Sequence, residues 1–142
     1  MTTRREFIQK TALGAAGLTL GARSYSRVMG ANDRIRVGIV GYSDRFKGSL
    51  SPAFLSLAKE LNFEFTAISD LWNKRREEAD AFYKAMGIKL RIARNNEELY
   101  SGNDTDAVII STADFQHALH CAEAVEAGRD AYVEKPFAET MA

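Results

Sequence analysis

A doubly wound parallel α/β sheet is the fold class this sequence predicts, on three observations. From Arg34 onward, short β-type runs alternate with segments of helical period. The run Ala107–Ser111 is a Val and Ile stretch of the kind buried on both faces of a sheet. The helical segments between runs span roughly 8 to 16 residues, which suits the crossovers that join parallel strands.

Ile35–Val40 is the first strand and ends at Gly41. Leu50, Ala53, Phe54, Leu57, Ala58 and Leu61 then recur at helical spacing. Pro52 falls in the first turn of that helix, where its missing N–H does no harm. Phe63–Ser69 is the second strand, closed by Asp70, and Asn73–Met86 is a charged helix with Ala79, Phe82, Tyr83 and Met86 inward. Gly87 stops it, and a third strand lies near Lys89–Ala93. Asn95, Asn96, Glu97 and Glu98 start a capped short helix, with acids favouring its N-terminal dipole. Asp104 and Asp106 mark the turn before the fourth strand, Ala107–Ser111. Asp114 caps a helix through Ala127 whose apolar side carries Ala118, Cys121, Ala122 and Val125. Gly128 ends it, and Ala131–Val133 is a last strand running into Glu134-Lys135-Pro136.

A length of 142 residues allows one domain with a real core and is too short for two. Net charge is zero but unevenly placed: Arg4, Arg5, Lys10, Arg23 and Arg27 precede residue 32, against the single acid Glu6. The rest carries 14 basic and 18 acidic groups, so it has no electrostatic footprint for nucleic acid or an anionic membrane. Cys121 is the only cysteine, which excludes a disulfide within the chain. His117 and His120 alone do not make a metal site. No apolar run after the amino terminus is long enough to span a membrane.

The first thirty residues read differently. Thr3-Arg4-Arg5-Glu6-Phe7 and the uncharged run Thr11–Ala22 resemble a twin-arginine export signal, an address read by export machinery. The plainer alternative is a helix that stays on the protein. The export reading divides the chain into a signal and linker over 1–31 and the α/β domain over 32–142. It places the product in the periplasm or outside the cell.

In a doubly wound sheet, ligands bind just past the carboxyl ends of the strands. After the first strand comes Gly41-Tyr42-Ser43-Asp44-Arg45-Phe46-Lys47-Gly48. A G-x-G-x-x-G turn gives the backbone close access to a diphosphate, but only Gly41 fits here. Ser43 and Phe46 hold the other two positions, so Phe46 has to turn away from the crevice. Arg45, Lys47 and the loop amides offer the diphosphate other partners, although a solvated loop is the plain reading of the two cations. Asp70 stands where an acid bonds the adenosine ribose of NAD and repels the 2′-phosphate of NADP; it also precedes a helix that it could cap. Lys74, Arg75 and Arg76 keep NADP open.

The stretch Asp106–Ala118, with Thr112 and His117, and the later run Glu126–Pro136 resemble the glucose-fructose oxidoreductase/inositol dehydrogenase (Gfo/Idh/MocA) family, especially its exported members. The resemblance covers roughly Ile35 to the chain end, and Glu134-Lys135-Pro136 is its most specific element. It implies a Rossmann-like NAD(P) domain, which family members continue into an α/β substrate domain that this chain lacks. This chain alone is therefore expected to bind nucleotide without turning over substrate. The resemblance also implies that Lys135 is the catalytic group, a partly buried ammonium that polarises a sugar or polyol hydroxyl during hydride transfer. Gly41, Ser43, Arg45, Asp70, Thr112, His117 and Glu134 become the cofactor contacts, with His117 shaping the loop over it. His120 and Cys121 read as helix packing, and Ala113 stands where the family often has proline. A homo-oligomer is expected of the full-length protein. Two other readings share these residues: an NAD-dependent glycoside hydrolase of the same family, and a non-catalytic nucleotide-binding fragment.

Overall fold

A computed structural model of the chain describes residues 34–138. The proposed export signal lies outside the described residues. Five strands, β1 (Ile35–Val40), β2 (Phe63–Ser69), β3 (Arg91–Ala93), β4 (Ala107–Ile110) and β5 (Asp130–Val133), form one parallel sheet in the order β3-β2-β1-β4-β5. The helices are α1 (Ser51–Leu57), α2 (Asn73–Ala85), α3 (Asn96–Ser101) and α4 (His117–Glu126). A π-helical turn, Phe46–Leu50, leads into α1, and a 3-10 turn, Asp114–Gln116, leads into α4. The strand order reverses between β1 and β4, which makes their carboxyl ends the switch point at which such sheets bind ligands.

Both sheet faces are covered, and that is why the strands read as nearly unbroken apolar runs. Val37, Ile39, Phe65, Ile68 and Ile109 pack on one side with Leu50, Ala79 and Tyr83. Val40, Ala67, Val108 and Ile110 pack on the other with Leu99 and Ala124. Ser51 and Tyr83 satisfy each other's hydroxyls at 2.7 Å inside the first layer. At Gly38 a methyl group would lie 3.0 Å from Thr105 Cγ2 and 3.2 Å from Val108 Cγ1, so the missing side chain permits close packing in the second layer.

The helix faces differ from expectation in phase. The buried stripe of the first helical segment starts at Phe46 and Leu50 in the π turn and continues through Phe54, Leu55 and Ala58. The wider turn shifts the phase, and the regular helix ends at Leu57. Ala53, Leu57 and Leu61 are exposed as a result. In α2 only Ala79 and Tyr83, one turn apart, reach the sheet. Phe82 and Met86 sit on the flanks of that stripe and are exposed, with the Phe82 ring set edge-on to Tyr83. In α4 the inward stripe runs His117, Cys121, Ala124, which leaves Ala122 and Val125 facing out. Asp114 caps nothing with its side chain; a 3-10 turn forms there instead, and α4 starts at His117. Asn95 does cap α3, accepting the N–H of Glu98 at 2.8 Å.

Candidate cofactor-binding site

The turn after β1 is fixed by ties to three neighbouring strand ends. Gly41 has a φ of +87°, and its N–H donates to the Ser69 carbonyl at 2.9 Å. The N–H of Tyr42 donates to Asp70 Oδ2 at 2.9 Å. Ser43 Oγ shares a 2.8 Å hydrogen bond with Ser111 Oγ and accepts the N–H of Phe46 at 3.1 Å. Arg45 Nε donates to Glu134 Oε2 at 3.2 Å. Ser43, at the second glycine position, thus closes the turn with its side chain. Phe46 is fully buried against Tyr42 and Phe65, with centroids 5.9 and 6.2 Å away, so its ring leaves the crevice clear.

A groove of about 750 Å³ opens along these strand ends, within the range of small-molecule sites. Gly41, Ser43, Asp70 and Thr112, four of the residues expected from sequence, line it. Arg45, His117, Glu134 and Lys135 do not. Asp70 uses both oxygens: Oδ2 holds Tyr42, and Oδ1 accepts the N–H of Trp72 at 2.8 Å. The same carboxylate therefore steadies the start of α2 and faces the groove, so the cap and ligand readings are compatible.

The second cluster sits at the end of β5. Glu134 is buried, and its carboxylate accepts from Arg45 and from the N–H of Lys135 at 3.2 Å. Burial pushes its pKa up, but those two donors outweigh burial and hold it below the usual carboxylate range. His117 is also buried; Nδ1–H donates to the Pro136 carbonyl at 2.7 Å, and Nε2 lies 3.3 Å from the Thr112 carbonyl. It latches the loop after β4 to the Glu134-Lys135-Pro136 segment, whose Lys135–Pro136 bond is cis. The Lys135 side chain is exposed rather than partly buried, just past the end of the edge strand β5. The loop cations are engaged elsewhere: Lys47 lies 3.0 Å from Asp44 and 3.1 Å from Glu78, and Arg45 is on Glu134.

Several groove residues escaped the sequence reading. Trp72, Asn96, Gln116, His120 and Glu123 all line the groove, as does Arg75, one of the three cations that keep NADP open. His120, expected to be packing, hydrogen-bonds Thr112 Oγ1 through Nδ1 at 3.1 Å, and burial lowers its pKa. Its position three residues after His117, on one helix face, was the available signal. Among the described residues no group of three or more His, Cys, Asp or Glu side chains is arranged to hold a metal.

The groove suits a dinucleotide in two respects. At Gly41 a methyl group would lie 2.6 Å from Thr112 Cγ2 and 3.0 Å from the Ser111 carbonyl oxygen, so backbone stands where a side chain would fill the crevice. Asp70 offers carboxylate oxygens at the end of β2.

A parallel sheet with such a groove at its switch point defines a nucleotide-binding α/β domain of the Rossmann type. The chain belongs to the GFO_IDH_MocA oxidoreductase family, with an NAD-binding Rossmann fold, whose family model matches residues 35–142. It is 35% identical over 115 residues to the dehydrogenase aclE of Aspergillus oryzae, a stretch covering 77% of this chain and 30% of that protein. Among solved structures it resembles the WlbA dehydrogenase of Bordetella pertussis in complex with NADH and UDP-GlcNAcA. That match has a TM-score of 0.63 and 26% identity, over 74% of this chain and 30% of the other. It also resembles KijD10, a 3-ketoreductase of Actinomadura kijaniata in complex with NADP and TDP-benzene. There the TM-score is 0.60 and the identity 28%, over 75% of this chain and 30% of the other. The chain thus spans about 30% of the length of these relatives.

Proposed function

We propose that this chain is the cofactor-binding part of an exported NAD(P)-dependent oxidoreductase that acts on a sugar, polyol or related alcohol. The observation that carries the reading is the groove in which Gly41 and Asp70 meet at the β1/β4 switch point. Asp70 would hold the adenosine ribose, and the turn Gly41–Ser43 would take the diphosphate through its backbone. When bound, a nicotinamide dinucleotide supplies the hydride acceptor or donor. Arg45 would keep Glu134 ionised, and Glu134 with His117 would hold the backbone of Lys135 in place. Lys135 itself is free to reach a substrate oxygen, since its side chain is exposed and makes no hydrogen bond to another described residue. The substrate class rests on the family, and on relatives whose complexes contain nucleotide-linked ligands.

Export rests on Arg4 and Arg5 ahead of the uncharged run Thr11–Ala22. A homo-oligomer of the full-length protein is part of the same reading. Calorimetric titration of the chain with NAD and NADP tests the cofactor reading: saturable binding is expected, and none at millimolar ligand overturns it. Fusing residues 1–31 to a reporter tests export, which the Arg4→Lys, Arg5→Lys double variant should abolish.

A further inference from the structure

Asn96, His120 and Glu123 gather on one wall of the groove, where the reading above gives them no task. Asn96 opens α3, while His120 and Glu123 stand three residues apart on one face of α4. Asn96 Oδ1 accepts the Ser69 hydroxyl at 2.7 Å, and Asn96 Nδ2–H donates to Glu123 Oε2 at 2.8 Å. That relay sets the amide orientation and anchors one oxygen of the carboxylate. Oε1 of Glu123 has no hydrogen-bond partner among the described residues. Across the same face, His120 Nδ1 is held at 3.1 Å by Thr112 Oγ1, and Nε2 has no partner among the described residues. Burial favours the neutral ring, which carries one N–H. In the tautomer that pairs with a Thr112 hydroxyl donating to Nδ1, the ring proton is on Nε2.

In that tautomer the wall presents one acceptor and one donor, three residues apart on α4, to a groove that Asp70 and Trp72 also line. We propose that Glu123 and His120 read the edge of the adenine base, Glu123 Oε1 accepting from the 6-amino group and His120 Nε2–H donating to N1. The inference rests on the dinucleotide reading and adds base selectivity to it. Guanine has a carbonyl oxygen in place of the 6-amino group and an N–H at position 1, so neither the Glu123 carboxylate nor the His120 N–H finds its partner. Hypoxanthine would set a carbonyl oxygen against that carboxylate and an N–H against the histidine donor, two mismatches in a partly buried place.

The experiment compares NAD with nicotinamide hypoxanthine dinucleotide, by calorimetry on the full chain. NAD is expected to bind about tenfold or more tightly, the size of one unsatisfied polar contact. In Glu123→Gln, Asn96 would retain the amide oxygen and turn the NH₂ toward the base. The preference should then fall to roughly threefold or less, because that NH₂ can donate to the hypoxanthine carbonyl. Equal affinity of the wild-type chain for both dinucleotides would overturn the inference and leave the groove a cofactor site indifferent to the base. Binding of neither would remove the dinucleotide reading itself, and this inference with it. The wild-type comparison stands whether or not the variant folds.

Discussion

The backbone N–H of Tyr42 donates to Oδ2 of Asp70 at 2.9 Å, so the acid that closes β2 also holds the turn that follows β1. Oδ1 accepts from Trp72, yet each carboxylate oxygen has a second lone pair for a ligand in the groove. Asp70→Ala should therefore weaken NAD binding by about 10- to 100-fold, the range for hydrogen bonds to a charged group. Asp70→Asn retains an acceptor oxygen and removes the charge that repels a 2′-phosphate. It should lose less affinity for NAD and raise affinity for NADP relative to NAD. Calorimetry of the three proteins with both dinucleotides checks this; an unchanged NAD affinity in Asp70→Ala would place the ribose elsewhere.

Gly41 combines a left-handed backbone with a crowded approach. Its φ of +87° costs any L side chain about 1–2 kcal/mol. A methyl group there would also press on the Thr112 side chain and on the Ser111 carbonyl, which as backbone yields little. Gly41→Ala should destabilise the domain by about 2–4 kcal/mol, with NAD affinity reduced in whatever remains folded. Urea unfolding measures the first effect. A loss under about 1 kcal/mol would mean that the turn relaxes at little cost.

His117 holds two loops with one ring. Replacing it by Phe fills the site with a somewhat larger ring, so no cavity confuses the result, but removes the bond to Pro136 and leaves two carbonyls facing an apolar edge. We expect a loss of about 1–3 kcal/mol in urea unfolding, together with faster amide exchange at Lys135. Unchanged exchange there would show that Arg45 and Glu134 hold the segment without help.

What could be read from sequence alone was what local chemistry decides. Asn95 caps its own helix, Gly41 ends its own strand, and Asp70 closes the next, because each answers to residues a few positions away. Asn96 and Glu123 were not legible as a pair, since 27 residues separate them and only the packing of α3 beside α4 brings them together. Phe46 was legible as a problem but not as its solution. The π turn that directs it inward has no period that a hydrophobic pattern reveals. The inner faces of α2 and α4 were misjudged for a related reason: narrow stripes with apolar flanks look wider in sequence than they are. The exposure of Lys135 depends on what lies over the end of β5, and no local pattern encodes that.

Two arginine-carboxylate pairs brace the amino-terminal side of the sheet and give a pH prediction. Asp106 Oδ2 accepts Arg36 Nε at 3.0 Å and the Arg36 backbone N–H at 2.9 Å, while Oδ1 accepts Nη2 at 2.6 Å. Asp104 takes Arg91 in the same two-pronged way, at 2.6 and 2.7 Å. Hydrogen bonds from the guanidinium groups hold both acids below their ordinary pKa, against the opposing effect of partial burial. A carboxylate whose pKa is lower folded than unfolded binds its proton more readily when unfolded. Its stabilisation is therefore complete above the unfolded value, about 3.9, and drains as pH falls through the folded one. Stability should thus fall steeply below about pH 4. The Asp104→Asn, Asp106→Asn double variant should be less stable at pH 7 by about 1–2 kcal/mol, discounted for the solvent that reaches both pairs. It should also lose less on acidification than the wild type. Urea unfolding across that pH range measures both. Parallel curves for the two proteins would mean that acid acts through other carboxylates, Glu134 on Arg45 first among them.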